Sequence, residues 1–314
     1  MALTLMEAVK QMPASRETGI IGTYAKANQA LMHASLIPSD MYHIWKVEDT
    51  KATSAARDVN ADHTASNGTV QPFSAQLKIY GGKIQVDEYI ADLAASSVAF
   101  NIESQIKSLG TKTGVDLFEG AGGTSMKGIR SYLQTDAIYS SQTVESGATT
   151  VPVIITIDMI DELLSRIDII PGRTFLYMNQ KPALLLKKLN RGNNSSGYNV
   201  VYDPAEIGRF DYVYQGVPIM VMKDGKNADL LSITETDKSG GASNSSSIYA
   251  VTWGPDMCTL VGNGSLVGGV PMPKITTANA GTNYEYTRLN WYVNIAPKAI
   301  GSVARLRYVK NATS

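Results

Sequence analysis

From Glu48 to Ala75 this chain of 314 residues carries only three large apolar side chains, Val59, Val70 and Phe73. A stretch with so little to bury cannot fold onto a core of its own, and loops beyond about 15 residues are uncommon and mostly functional or disordered. Strand-like segments bracket it, MYHIWKV at 41–47 and AQLKIY at 75–80, and turn signals sit at Asn67-Gly68 and Pro72. The pattern predicts a long two-stranded excursion away from the body. The rest of the chain must build that body.

After the excursion, Ile84, Tyr89, Ile90, Leu93, Val98, Ile102, Ile106 and Leu109 recur mostly three to five apart. This predicts an amphipathic spine helix over 84–109, roughly 37 Å long, stopped by Gly110. Its polar face carries Asp87, Glu88, Asp92 and Glu103 against Lys107. A Gly-, Ser- and Thr-rich link follows over 110–150, with Phe118, Ile129, Tyr132 and Leu133 as its anchors. Thr156 is placed to cap a helix over 157–168, and Asn179 to cap another with Pro182 in its first turn. Between them FLYM at 175–178 reads as a strand. Gly216 sits in a tight hairpin between strands at 210–215 and 217–222. Residues 237–247 (DKSGGASNSSS) read as a surface loop before a strand at 248–253. The tail is β. Leu289, Trp291, Val293 and Ile295 alternate with polar residues, and Ala304, Leu306 and Tyr308 alternate with Arg305 and Arg307, expected to face outward. Short helical patterns at 3–10 and 20–32, broken by Pro13 and Gly19, suit a docked arm rather than a core.

Composition narrows the function. Lys and Arg total 28, as do Asp and Glu, so the net charge is zero. This excludes a DNA coat acting by bulk positive charge and an acidic disordered chain. Charged residues are 18%, below the usual ~25%, while Ser, Thr and Asn number 27, 25 and 17. Such a weakly charged surface suits a chain covered largely by copies of itself. The charge is nonetheless segregated into an acidic spine and a basic tail, which has five basic residues and one acidic from Glu285 to Lys310. Cys258 is the one cysteine, so no disulfide framework is expected. No run reaches the ~18 apolar residues of a membrane span. MALTLMEAVK lacks the features of a signal peptide, so cytoplasmic synthesis is expected.

No catalytic constellation emerges. His33, His43 and His63 are too widely spaced to suggest a zinc site. The stretch from Gly120 to Lys127 lacks the Lys-Ser/Thr step of a phosphate loop and reads as a flexible loop. Ser265 lacks the glycine of a nucleophile elbow and has no downstream histidine. Neither metal nor cofactor is expected, and the chain is not read as an enzyme.

The order of parts is arm, polar excursion, long acidic helix, Gly-rich link, helix–strand–helix unit and basic β tail. It resembles the major capsid proteins of tailed double-stranded DNA bacteriophages, an α+β class with the Hong Kong 97-like fold shared with encapsulins. The resemblance spans the chain and is carried by MALTLMEAVK, IQVDEYIADL, DLFEGAGGTSMKGI, RTFLYMNQKPALLLKKL and YQGVPIMV. It implies an N-terminal arm over 1–35, an E-loop with flanking strands over 36–83, and a P domain over 84–150. An A domain over 151–270 and a β segment returning to the P domain over 271–314 complete it.

The implied function is that of a head protein assembling into pentamers and hexamers of an icosahedral or prolate shell around DNA. That shell would be a virion capsid built in the bacterial cytoplasm. Implied partners are other copies of the chain, DNA through weak non-specific contacts, a portal, a scaffolding protein, and decoration or head–tail connector proteins. Reaching the spine by residue 84 leaves no room for a fused scaffolding segment, so any scaffold would be a separate protein. Contact candidates between subunits are Lys51 and Arg57 in the excursion, Asp87, Glu88 and Asp92 on the spine, and Arg305 and Arg307 in the tail. Lys51 also lies where some members form a Lys–Asn crosslink, but no catalytic Glu for it is identifiable. An encapsulin shell is the alternative, and an α+β enzyme the third reading.

Overall fold

The computed structural model describes residues 29–87, 95–146, 152–192, 200–201, 212–223, 228–235, 244–263, 265–267, 270–272, 274–279 and 284–311. The helical patterns at 3–10 and 20–28 therefore lie outside the described residues, as do 193–199 and 237–243. The described part begins with α1 (Gln29–His33) and β1 (Leu36–Pro38), then a hairpin of β2 (Tyr42–Thr50) and β3 (Thr69–Gln76). Next come β4 (Lys78–Asp87), the long α2 (Ala95–Glu119), α3 (Ile129–Thr135), β5 (Thr143–Glu145) and α4 (Ile157–Ser165). They are followed by β6 (Thr174–Met178), α5 (Gln180–Gly192), β7 (Val200–Val201), β8 (Tyr212–Tyr214), β9 (Val217–Val221) and β10 (Ser245–Thr252). The chain closes with β11 (Cys258–Asn263), β12 (Ser265–Val267), β13 (Val270–Met272), β14 (Lys274–Asn279), β15 (Tyr284–Pro297) and β16 (Val303–Lys310).

Two larger sheets organise the molecule. In one, β15 is central: β4 pairs along one edge from Lys78 to Asp87, and β11 and β14 share the other, with β1 beyond β11. Leu289, Trp291, Val293 and Ile295 are fully buried, as their alternation predicts. The other sheet has the order β5-β16-β10-β6-β9-β8-β7. On one of its faces Ile248, Ala250, Ala304 and Leu306 join α4 and α5 in a second core. On the opposite face Phe175, Tyr177, Tyr249 and Val251 pack into the core shared with α2 and β15.

The spine differs from its sequence reading at both ends. Residues 84–87 belong to β4, because the open edge of β15 takes them as partners, Thr287 facing Ile84 and Tyr284 facing Asp87. The helix instead runs through Gly110 to Glu119. Gly110 does not adopt the left-handed backbone that ends helices. Leu117 and Phe118 continue the buried stripe of Ile102, Ile106 and Leu109, and the Thr113 hydroxyl donates to the Leu109 carbonyl at 2.8 Å. Gly82 lets the helix settle on β4, since a Cβ there would meet Gln105 Nε2 at 1.6 Å.

Other local expectations divide. Thr156 caps α4 by accepting the Met159 N–H at 3.4 Å. Gln215 and Gly216 both take positive φ in the turn between β8 and β9, as a tight hairpin requires. Asn179 does not cap α5 with its side chain. That amide exchanges two hydrogen bonds with Leu231, at 3.0 and 3.2 Å, while Asp229 accepts from the Gln180 N–H at 3.2 Å. Ser245, Ser246 and Ser247 are not surface loop but buried strand in β10. The loop from Gly120 to Gly128 is not loose. Gly128 N–H donates to Gly120 at 2.8 Å, and Met126 N–H donates at 2.9 Å to Tyr80, whose hydroxyl donates to Asp116 at 2.8 Å.

Phe118 lies on the part of α2 beyond its expected stop and packs against Tyr177 and Tyr249 at 5.0 and 5.1 Å. Phe118→Ala should cost about 3–5 kcal/mol, read from denaturant midpoints. A cost under about 1 kcal/mol would contradict this packing.

Candidate assembly surface

The β2–β3 hairpin has one dry face and one open face. On the inner face Trp45, Val47 and Ala75 are buried. Trp45 stacks on Phe73 at 5.8 Å and meets Tyr132 at 6.4 Å, while Phe73 meets Tyr139 at 5.6 Å. The Trp45 indole N–H donates to the Pro297 carbonyl at 2.9 Å, and the Tyr139 hydroxyl donates to the same oxygen. Each aromatic pair adds roughly 0.5–1.5 kcal/mol beyond its buried area. This cluster fixes the hairpin's root to the end of β15.

Beyond the root no described residue covers the outer face. Tyr42 and Ile44, on alternate positions, are exposed, Ile44 to 69%. Val70 lies on the same face, opposite Glu48. Met41, whose carbonyl accepts the Leu77 N–H at 3.1 Å, is 67% exposed; Ile79 is 71% exposed and pairs with the exposed Tyr292. Among the described residues the loop over 51–68 makes local bonds, such as Thr53 N–H to Ser66 Oγ at 2.9 Å. A hairpin alone in water is marginally stable, and this concentration of exposed apolar side chains marks an interaction surface.

His43, on the inner face, has a buried Nε2 with no hydrogen-bond partner among the described residues and stacks beside Trp45 at 6.0 Å. Burial first, and the nearby Lys298 ammonium second, hold its pKa below the ordinary 6.5. His33 stacks on Phe175 at 4.2 Å and His63 is exposed in the loop. The described residues hold no group of three or more metal-ligating side chains. Cys258 is buried, and burial pushes its thiol pKa up.

The sequence-derived contact candidates fall in different places. Lys51 and Arg57 are exposed on the hairpin loop, with Arg57 Nη1 donating to the Ala61 carbonyl at 2.7 Å. Asp87 ends β4 rather than lying on the spine, and Glu88 and Asp92 lie outside the described residues. Arg307 is half-buried, 3.6 Å from Glu145. Arg305 must be withdrawn as a contact: it is 1% exposed and pairs with Glu235 within its own chain. Alternation misled here because β16 is buried on both faces.

Around Arg305 a charged network joins the seven-stranded sheet to the spine. Its Nε donates to Ser247 at 2.8 Å, and Ser247 donates to Glu235 at 2.6 Å. Arg130 on α3 lies 3.6 Å from Glu235, and Ser232 N–H donates to Glu119 at 2.8 Å. Burial pushes the Glu119 carboxyl up, partly offset by that N–H.

The residues that build the hairpin surface, Trp45, Tyr132, Tyr139, Tyr42, Ile44 and Ile79, were not singled out as functional from the sequence. The signal for Tyr42, Ile44 and Trp45 was the segment MYHIWKV, apolar on both faces of a strand; Ile79, Tyr132 and Tyr139 carried no such local signal.

No protein-family model matches the sequence, and no curated protein does. Solved structures do match. The capsid of a native GTA particle aligns with a TM-score of 0.62 at 12% identity, covering 91% of this chain and 90% of that one. The capsid of cyanophage A-1(L) aligns with a TM-score of 0.61 at 11% identity, over 90% and 92%. An encapsulin complex from Synechococcus elongatus aligns with a TM-score of 0.60 at 14% identity, over 88% and 86%. The chain therefore has the Hong Kong 97-like, α+β capsid fold that its order of parts resembles.

Two predictions follow from the root and the network. The docked root favours neutral His43, so its contribution is complete above about pH 6.5 and is lost as the pH falls through the lowered value. Amide exchange of 42–47 should accelerate from pH 7.5 to about 5.5 after correction for intrinsic rates, and His43→Gln should flatten that dependence. Arg305→Met should cost on the order of 3–5 kcal/mol by leaving the buried Glu235 with only the more distant Arg130 as a cation, and Arg305→Met/Glu235→Leu should recover much of it. Equal losses in the single and double variants would rule out that coupling.

Proposed function

We propose that this chain is the structural subunit of a closed protein shell, the major head protein of a tailed double-stranded DNA phage. The observation that carries the reading is the end-to-end match to shell subunits, which covers about nine-tenths of each chain and leaves little of the chain for a separate catalytic domain. The open hairpin supports it: a surface this apolar needs a cover, and a neighbouring copy supplies one in a shell. The hairpin then serves as the E-loop, α2 with the β15 sheet as the P domain, and the seven-stranded sheet with α4 and α5 as the A domain. Contacts between copies are heterologous, different patches meeting head to tail, which closes rings when the rotation permits. DNA, a portal and a separate scaffolding protein are the further partners of this reading, and the virion its location.

The likeness to an encapsulin complex supports a second reading, the same shell around protein cargo. Electron microscopy of the expressed chain separates them. Closed angular shells of phage-head size, filled with DNA when made in infected cells, are expected; small shells holding protein favour the second reading, and no shell overturns both. Ile44→Asp should abolish closed shells while leaving the circular dichroism of the free subunit unchanged. Normal assembly of that variant would exclude the hairpin's outer face from the contact.

A further inference from the structure

Helices α4 and α5 pack on one face of the seven-stranded sheet and share its second core. Their outward rows are opposite in charge. On α4, Ile160, Leu163 and Leu164 face inward, while Asp158 and Glu162 are exposed one turn apart. Ile154, just before the cap, is 41% exposed. On α5, Ala183, Leu185 and Leu186 face inward, while Lys181, Leu184 and Lys188 form the exposed row, with Leu184 44% exposed. Each row thus carries two like charges and one apolar side chain.

The rows do not satisfy each other within the chain. Helix α4 packs against β5 and β16, and α5 against β9, with β10 and β6 between. Three strand steps of ~4.8 Å separate β16 from β9 by about 14 Å. Among the described residues Asp158, Lys181 and Lys188 make no ion pair, and Glu162 pairs with Arg166 in its own helix at 3.1 Å. Asp161 is already engaged, accepting from Tyr214 at 2.6 Å and Gln215 at 3.1 Å, and takes no part.

We propose that the acidic row of α4 on one copy docks against the basic row of α5 on the next, so that these helices form a head-to-tail contact within each ring. The occupant of each surface is a second copy because the complement of each lies on this same chain. An acidic and a basic row on one molecule attract unlike rows and repel identical ones, so copies meet with α4 against α5, and in a ring each copy gives its acidic row to one neighbour and its basic row to the other. Exposed pairs are individually weak, about 0.2–1 kcal/mol, so a contact repeated around a ring remains reversible until many have formed. This contact rests on the shell reading above and names the partner surfaces within it.

Charge exchange tests it. Asp158→Lys/Glu162→Lys makes both rows basic, and Lys181→Glu/Lys188→Glu makes both acidic. Each should raise the threshold concentration for shell assembly about tenfold or more, seen by light scattering and electron microscopy. The four substitutions together exchange the rows and should return the threshold close to that of the unaltered chain. Circular dichroism verifies that each variant subunit is folded. The unaltered chain gives a reading that needs no substitution: its threshold should rise in about 0.5 M salt, where the screening length falls to about 4 Å. Shells unaffected by the pairwise reversals or by salt, or a fourfold exchange that fails to restore assembly, overturn the α4–α5 contact. An unaltered chain that forms no shell under any condition overturns the shell reading instead.

Discussion

A β-strand has two hydrogen-bonding edges, and β15 uses both. One edge is committed to β4 from Lys78 to Asp87; the other is divided between β11 and β14. Leu289, Trp291, Val293 and Ile295 are fully buried in the core they share with α2. The backbone at the strand's end, Pro297, receives Trp45 and Tyr139, which lash the hairpin down. The demand of β15 for a second partner converts residues 84–87 from helix to strand. The place of the spine, the projection of the hairpin and the link onward to β16 therefore all follow from this strand.

The two cores meet through chemistry that is costly to bury. Tyr249 and Arg305 face each other across β10 and β16 on the side turned toward α2, while their neighbours Ala250 and Ala304 face α4 and α5. An ionic cluster in that position adds little net stability over apolar packing, but it restricts how the two layers can be matched. Phe118 does the apolar part of the same task, touching Tyr177 and Tyr249 from the end of α2. Around this centre the hairpin's outer face and the outward rows of the two sheet-packed helices stay exposed among the described residues.

Much of this was legible in the sequence wherever a local rule and the tertiary environment agreed. The excursion declared itself through missing apolar residues, α4 through Thr156 and its apolar spacing, and β15 through strict alternation. The errors share a cause. Gly110, Asn179 and Arg305 were each assigned the role their residue type favours near water. Each is instead in contact with another element, where helix continuation, a side-chain bridge to Leu231 and an ion pair to Glu235 are worth more than the local preference. The acidic spine likewise lost Asp87 to a strand.

The sequence by itself determined the class of architecture, the existence of a projecting hairpin, and the balanced, below-average charge content. These depend on periodicity and composition, which act over a few neighbouring residues. Only the tertiary structure decided which face of the hairpin is dry, where the spine begins and ends, and which charges are buried and which remain available. Those outcomes turn on partners such as Trp45 with Pro297, or Arg305 with Glu235, that lie 252 and 70 positions apart. No local pattern encodes a contact at that separation, because its free energy exists only once the sheets have brought the two groups together.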